Sequence, residues 1–235
     1  MKSRAEGIVI YKQKIRDAMC LIKVLTLDHG LQSFWYRPKK GIRPLNALEE
    51  ISFVSAGDQR EQLHWMKEVE ILVPHHQIES HPVKAATALF MQEILYRLLQ
   101  ENDPHPPLFY FLKEVIEQLE QEGDIALIHF VFLLGLMRSM GCCPVAPHDQ
   151  PDWFGMRQGE FGRGTPPIEH IGKSNHQLEA WLALLKGNWA KLKEEPITNA
   201  DRRMLLKSMV DYLFIQQHKV NAIQSLDIYY ELFHA

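Results

Sequence analysis

The sequence predicts an α+β protein in which an N-terminal five-stranded OB-fold-like β-barrel is followed by an all-helical domain. Residues 1–80 contain short aliphatic and aromatic runs separated by turn residues, without helical periodicity. From residue 81 onward, apolar residues recur at the i, i+3, i+4 spacing of one-sided helices. A chain of 235 residues forms one large or two small domains, and we place the boundary between residues 80 and 81.

Five strands are predicted in the first part of the chain, over residues 7–15, 19–26, 30–37, 51–55 and 63–73. Asp28, His29 and Gly30 form a three-residue hairpin loop in which the glycine can take the left-handed conformation. Five short strands without an intervening helix indicate a small antiparallel barrel. Periodicity alone does not distinguish an OB-fold from an SH3-like barrel.

Six helices are predicted in the second part. The first three span residues 82–100, 108–123 and 125–137, and the last three begin near Leu178, Thr198 and Ser225. The third helix is apolar almost all round, which is typical of a buried core helix. Its length of about 13 residues is short of the roughly 20 that a membrane span needs. Residues 142–174 are rich in proline and glycine and predict a long ordered loop with a short hairpin around residues 156–161.

The net charge of −3 conceals an uneven distribution. Residues 1–45 contain ten Lys/Arg and three Asp/Glu, so this segment carries about +7 and the remainder about −10. An anionic partner is therefore expected to meet the N-terminal segment. The three cysteines form no disulfide framework, and no apolar signal peptide follows the basic start, so a cytoplasmic location is expected.

The barrel segment contains the candidate nucleic-acid contacts. Four cations surround one loop, and two aromatic residues precede them: Arg37, Lys39, Lys40, Arg43, Trp35 and Tyr36. Phosphates require several cations along one groove, and unpaired bases stack on aromatic rings. Because side chains alternate along a strand, at most one of the two aromatic residues is expected to face DNA. The secondary candidates are Lys12, Lys14, Arg16 and Lys23. The alternative interpretation is a solvated cationic loop beside core aromatics.

No catalytic constellation is predicted. The chain lacks the GxSxG, HExxH and CxxC patterns, and its glycine-rich stretch between Gly159 and Gly164 lacks the order of a phosphate-binding loop. His129 lies on the apolar helix, where a hydrogen-bonded core histidine is expected instead of a ligand. We therefore predict a protein that is not an enzyme and that has no cofactor.

Over nearly the whole chain, the order and spacing of several segments resemble the bacterial recombination mediator family RecO, in the version found in its Bacteroidetes branch. The segments that carry this resemblance are residues 7–10, 21–26, 29–30, 37–41, 90–95, 108–112, the apolar helix running into Gly141, 154–161 and 223–233.

The resemblance implies an OB domain followed by a helical domain, and a non-catalytic role in recombinational repair. Family members bind single- and double-stranded DNA, anneal complementary strands, and work with RecR to load RecA onto DNA covered by the single-stranded-DNA-binding protein. They dock the C-terminal tail of that binding protein on the helical domain, where Arg138 and Arg157 are the candidate contacts here. A nucleoid-associated cytoplasmic protein without membrane contact is implied. The alternative is a barrel-plus-helical interaction scaffold that does not bind nucleic acid.

One departure from the family pattern concerns zinc. Many members carry a four-cysteine zinc site in the segment equivalent to 142–165, whereas Cys142 and Cys143 are adjacent here and no second pair follows. Tetrahedral zinc needs four suitably spaced ligands, and His148 and Asp149 are a weak substitute for the missing pair. We therefore predict no zinc, with the loop stabilised by packing of Trp153, Phe154 and Phe161.

Overall fold

The computed structural model describes residues 2–16, 19–38, 43–57, 63–121, 123–172, 176–189, 198–220 and 223–226. Within these ranges the fold class predicted from the sequence is confirmed. Described strands form an N-terminal closed barrel, and helices follow it.

Five described strands close the barrel. They are β1 (Lys2–Arg16), β2 (Met19–Thr26), β3 (Gly30–Tyr36), β4 (Glu50–Ala56) and β5 (His64–Val73). Four of them have bounds within one residue of those predicted, whereas β1 begins five residues earlier than predicted. The order around the barrel is β1-β2-β3-β5-β4, with β4 pairing back onto β1. All neighbours are antiparallel except β3 and β5, which run parallel.

The hairpin between β2 and β3 forms at the predicted loop. Gly30 has a φ of +67°, and a Cβ there would lie 2.1 Å from the carbonyl oxygen of Asp103. Glycine is thus required both by the left-handed backbone and by the close approach of a neighbouring segment. The Thr26 hydroxyl donates to the Gly30 carbonyl oxygen at 3.0 Å across the turn.

The barrel interior is filled by alternate residues of the strands. Phe34 and Phe53 meet edge to face with ring centroids 4.9 Å apart. The core cluster comprises Val9, Ile22, Val24, Phe34, Tyr36, Leu45, Ile51, Phe53 and Met66. Because β2 and β3 alternate inward and outward, the intervening residues of these strands face outward.

Three helices follow the barrel within the first compact unit: α1 (His76–Ser80), α2 (Pro82–Leu98) and α3 (Pro106–Gln121). Helix α1 lies between the predicted strand that ends at residue 73 and the predicted helix that begins at residue 82, where the sequence predicts no element. Proline occupies the first turn of α2, as predicted, where the missing N–H leaves no hydrogen bond unmade.

The second compact unit contains α4 (Ile128–Ser139), three short strands, α5 (His176–Leu185) and α6 (Asn199–Gln216). Helix α4 is the predicted apolar helix, and its residues are buried from Ile128 to Met137 apart from the half-buried Val131. The Thr198 hydroxyl accepts a hydrogen bond from the Asp201 N–H at 3.1 Å, which confirms the predicted cap of α6. The helix predicted from Ser225 onward lies mostly outside the described residues.

The 142–174 segment contains a three-stranded antiparallel sheet of β6 (Trp153–Gly155), β7 (Glu160–Gly162) and β8 (His170–Gly172), ordered β7-β6-β8. The predicted hairpin is the turn between β6 and β7. Phe154 is fully buried, stacks on Phe161 at 4.5 Å, and contacts the rings of Trp181 and Tyr212. The prediction that aromatic packing stabilises this loop is confirmed for Phe154 and Phe161.

By its contacts the described part of the chain divides into two compact units, one of the described residues up to Ala126 together with 223–226, and one of the described residues from Leu127 to Val220. The change from strands to helices lies between Val73 and His76, so the boundary placed after residue 80 falls behind α1 and stays a prediction. Among the described helices, none is both long and apolar enough to cross a membrane.

Candidate nucleic-acid interface

The predicted DNA contacts lie on β1, β2 and β3 and in the segment that follows β3. Lys39 and Lys40 fall outside the described residues. The remaining cations separate into two groups according to whether the side chain already makes a polar contact with another described residue.

Three of the predicted cations are engaged within the first unit. The Lys12 ammonium donates to the Leu45 carbonyl oxygen at 2.6 Å. The Lys23 ammonium pairs with Glu101. The Arg43 guanidinium pairs with the fully buried Glu49 and with Glu79, the latter at 3.1 Å. These side chains primarily stabilise the fold.

The other predicted cations, Lys14, Arg16 and Arg37, are exposed and make no ion pair with any described residue. Lys67 on β5 is exposed and equally unpaired within the described ranges, although the sequence did not single it out. Lys14 and Arg16 lie on the outer part of the β1–β2 hairpin, and Arg37 follows the end of β3. Lys14, Arg16, Arg37 and Lys67 are therefore exposed cations, on or beside barrel strands, that make neither an ion pair nor a side-chain hydrogen bond with a described residue.

The two predicted aromatic residues face opposite sides, as strand alternation requires. Tyr36 belongs to the barrel core, and burial raises the pKa of its hydroxyl above the usual range. Because Tyr36 is buried in the barrel core, it cannot contact DNA as predicted from the sequence, and we remove it from the candidate contacts. Trp35 faces outward and is partly exposed. In the parallel pairing of β3 with β5, Trp35 stands opposite Trp65, which is also partly exposed.

Part of the outer barrel face is covered by the helices of the same unit. Tyr11 stacks on Tyr96 of α2 with centroids 4.2 Å apart. Glu101 accepts hydrogen bonds from Lys23 and Ser33, and these bonds lower the pKa of its carboxyl group. Tyr11, Lys23 and Ser33 lie side by side on β1, β2 and β3 and are covered in this way. The next outward row, which contains the two tryptophans, lies beyond these contacts.

The two arginines predicted to hold a partner tail lie in the second unit. Arg157 makes a bidentate ion pair with Glu169, at 2.9 and 3.0 Å, and its charge is therefore compensated. Arg138 is exposed in the last turn of α4. Burial raises the pKa of the neighbouring Cys143 thiol, and the Arg138 charge only partly opposes this.

No group of three or more potential metal ligands occurs among the described histidine, cysteine, aspartate and glutamate residues. Cys142 and Cys143 are half-buried, and burial raises the pKa of both thiols. His129 is buried, and burial lowers the pKa of its imidazole to about 3, with the Arg202 charge acting in the same direction. A neutral core histidine agrees with the interpretation made from the sequence.

Sequence reasoning missed Trp65 and Lys67, yet a signal for them exists. Trp35-Tyr36-Arg37 and Trp65-Met66-Lys67 repeat the same order of tryptophan, inward apolar residue and cation. The repetition becomes meaningful only when the two segments are known to be parallel neighbours. The pairing joins residues thirty positions apart, so it cannot be predicted from the sequence of either segment alone.

Together these features define a class: a small closed barrel with an exposed cationic and aromatic end, followed by helices. OB-fold barrels bind oligonucleotides and oligosaccharides with the face of strands 2 and 3 and with the loops after strands 1 and 4. The unpaired cations and the outward tryptophans lie on or next to these parts.

Comparison with known proteins finds similarity to one family. Residues 79–149 match the family model described as "Recombination protein O C terminal". The chain is 25% identical to the DNA repair protein RecO of Flavobacterium psychrophilum, covering 99% of this chain and 100% of the relative. It is 27% identical to the proteins of the same name from Porphyromonas gingivalis, covering 97% and 98%, and Bacteroides fragilis, covering 99% and 100%. The resemblance to RecO of the Bacteroidetes branch is confirmed.

Proposed function

We propose that this protein is a non-catalytic recombination mediator that binds single- and double-stranded DNA through its barrel and anneals complementary strands. The similarity to proteins named for DNA repair supports a role in repair and recombination. The observation that carries the DNA-binding proposal is that two outward tryptophans share the barrel with four exposed cations that make no ion pair with a described residue, Lys14, Arg16, Arg37 and Lys67.

Charge distribution supports this surface over others. Cations that an internal carboxylate already neutralises release few counterions from DNA, whereas unpaired cations supply the full electrostatic gain. Arg43, which the sequence ranks with the primary contacts, is held by Glu49 and Glu79. Arg37, Lys14, Arg16 and Lys67 therefore replace it as the phosphate contacts, together with Lys39 and Lys40 from outside the described ranges.

The experiment compares two variants that lose the same charge. Lys14→Gln/Arg37→Gln removes two barrel cations, and Lys186→Gln/Lys207→Gln removes two exposed lysines of the second unit. Affinity for a labelled single strand is measured by fluorescence anisotropy at about 0.1 M salt. We expect the barrel variant to bind roughly tenfold or more weakly, because each lost phosphate contact forfeits counterion release. The control is expected to bind as the parent does.

A parent chain that binds neither single strands nor duplex at low salt would contradict the proposal and favour a protein-interaction scaffold. Equal losses in both variants would show that only net charge matters, and would remove the barrel from the proposal.

The partners proposed with this function are RecR, the C-terminal tail of the single-stranded-DNA-binding protein, and RecA indirectly through loading. For an acidic tail, Arg138 is the better candidate contact because Glu169 already compensates Arg157. Calorimetry of the purified chain with RecR and with an acidic tail peptide tests this part, and binding of neither would contradict it.

A further inference from the structure

The outward row of the barrel that contains Trp35 and Trp65 is left partly exposed by the described residues. Register aligns Gln13 on β1, Leu21 on β2, Trp35 on β3 and Trp65 on β5 across neighbouring strands. On β2 and β3 the outward residues nearer the hairpin, Leu25 and Leu31, are each 1% exposed. In contrast, Leu21 and the two tryptophans are all partly exposed, so cover by the helices ends before this row.

Among the residues that the structure describes, no ring or hydrogen-bonding group engages either indole. Neither Trp35 nor Trp65 makes a ring contact with another described aromatic residue or a hydrogen bond with any described residue. Trp181, a core tryptophan, is by comparison fully buried, contacts two rings and donates its indole N–H to Ser208 at 2.9 Å. Two partly exposed tryptophans on adjacent strands, without a described ring or hydrogen-bond partner, form an apolar surface patch of the kind that marks a binding site.

Each tryptophan is followed two residues later by an exposed cation, Arg37 after Trp35 and Lys67 after Trp65. Two residues of extended chain span about 7 Å, and neighbouring strands lie about 4.8 Å apart. The cations therefore flank the indoles along one side of the barrel, and neither forms an ion pair with a described residue. Aromatic faces beside uncompensated positive charge match a strand of unpaired bases with its phosphates.

We propose that Trp35 and Trp65 form a stacking subsite for unpaired nucleobases of single-stranded DNA, with Arg37 and Lys67 holding the adjacent phosphates. This subsite rests on the proposed function of the barrel and adds to it a preference for unpaired bases. In duplex DNA the base faces are already stacked, so only single strands gain from the indoles. A purely apolar protein partner would have no need of the two cations.

The test separates stacking from charge by using two probes with the same number of phosphates. One is a labelled oligothymidylate of about 15 nucleotides, a length within the range that single OB domains bind, and the other is the equivalent abasic strand. The parent is expected to bind the base-bearing strand at least tenfold more tightly. This comparison needs no variant and is therefore independent of any folding defect.

Trp35→Ala and Trp65→Ala are each expected to weaken oligothymidylate binding by about 5- to 100-fold and to leave binding of the abasic strand unchanged. Trp65→Phe retains a ring and should recover most of the affinity. Leu72→Ala, an exposed apolar residue at the opposite end of β5 from Trp65, is the control and should change affinity less than about twofold. Far-UV circular dichroism verifies that each variant is folded.

Equal binding of the two probes by the parent would overturn the stacking subsite while leaving a salt-dependent, phosphate-binding barrel in place. Folded tryptophan-to-alanine variants that bind oligothymidylate as the parent does would overturn it as well. If the parent binds neither probe, the proposed function itself fails, which is a different result from either of these.

Discussion

At the level of single residues, the structure distinguishes cations that form ion pairs within the protein from cations that are exposed and unpaired, whereas the sequence gives only their number and position. Arg37 and Arg43 look equivalent in the sequence, since both flank one basic loop. The structure leaves Arg37 exposed and unpaired within the described residues, whereas Arg43 neutralises Glu49, whose side chain is 0% exposed. A buried carboxylate without a partner is costly. The difference between a structural and a binding arginine therefore depends on a tertiary contact that no local pattern reveals.

Arg43→Ala is expected to lower the free energy of unfolding by about 2–3 kcal/mol, because it strands the Glu49 carboxylate inside the protein. The value lies at the low end for such pairs because the guanidinium is 37% exposed. Urea unfolding monitored by circular dichroism measures it. Arg37→Ala is the control and should change stability by less than about 0.5 kcal/mol.

The double variant Arg43→Ala/Glu49→Gln provides the second half of this experiment. A neutral amide at position 49 removes the buried charge, so the double variant should recover part of the lost stability. If Arg43→Ala is as stable as the parent, the ion pair contributes nothing and Arg43 returns to the DNA-binding candidates.

At the level of elements, the pattern of residues predicted most of the fold. β2 has the predicted bounds, the capped start of α6 forms at Thr198, and the helix that is apolar all round is the buried α4. These elements are determined by periodicity and end signals that lie within the element itself. The parallel register of β3 with β5 was not predicted, because it depends on residues distant in the chain.

Helix α1 shows why a short element is missed. Its five residues are too few for helical periodicity, and its N-cap residue His75 makes no capping hydrogen bond with its side chain. The free N–H groups are satisfied instead by Glu120 of α3, whose carboxylate accepts from Gln77 at 2.8 Å and Ile78 at 2.9 Å. The capping group of α1 thus comes from a residue about forty positions further along the chain, so the sequence around α1 does not predict it.

Glu120→Gln is expected to lower the free energy of unfolding by about 1–2 kcal/mol at neutral pH, because an amide caps helix N–H groups less strongly than a carboxylate. Desolvation alone would raise the pKa of Glu120, but the hydrogen bonds from Gln77 and Ile78 outweigh it and lower the pKa. The carboxylate therefore stabilises the fold above its ordinary pKa of 4.5, and this stabilisation disappears as the pH falls through the lowered pKa.

Urea unfolding of the parent and Glu120→Gln at a series of pH values from 7 down to about 3 measures this effect. The difference in stability should be largest at neutral pH and should narrow in acid. Glu114→Gln, at an exposed position of the same helix, is the matched control and should differ little from the parent at any pH. A difference for Glu120→Gln that stays constant into acid would show that its charge is not what caps α1.

At the level of the whole molecule, the protein has a net charge of −3 and is nevertheless proposed to bind DNA, which is a polyanion. Such binding requires that the positive charge be concentrated in one region of the protein. The sequence shows this concentration, about +7 in residues 1–45 against −3 overall. The structure refines it, since Lys12, Lys23 and Arg43 are engaged internally and Lys67, from outside that segment, joins the exposed set. The general location of the candidate site was thus predictable, but its membership was not, because compensation and strand pairing are tertiary properties.

The salt dependence of single-strand binding should report the size of this set. Each phosphate contact contributes a slope of about −0.7 in a plot of log K against log salt, so the four described cations predict a slope of about −3, and Lys39 and Lys40 would extend it to about −4. Anisotropy titrations at several salt concentrations measure the slope. Lys67→Gln should make the slope shallower by about 0.7, whereas Lys207→Gln, on α6, should leave the slope unchanged.

A slope near zero would mean that the affinity is not electrostatic and would remove the phosphate contacts from the barrel. An unchanged slope in Lys67→Gln would exclude that residue alone, since each contact contributes to the slope separately.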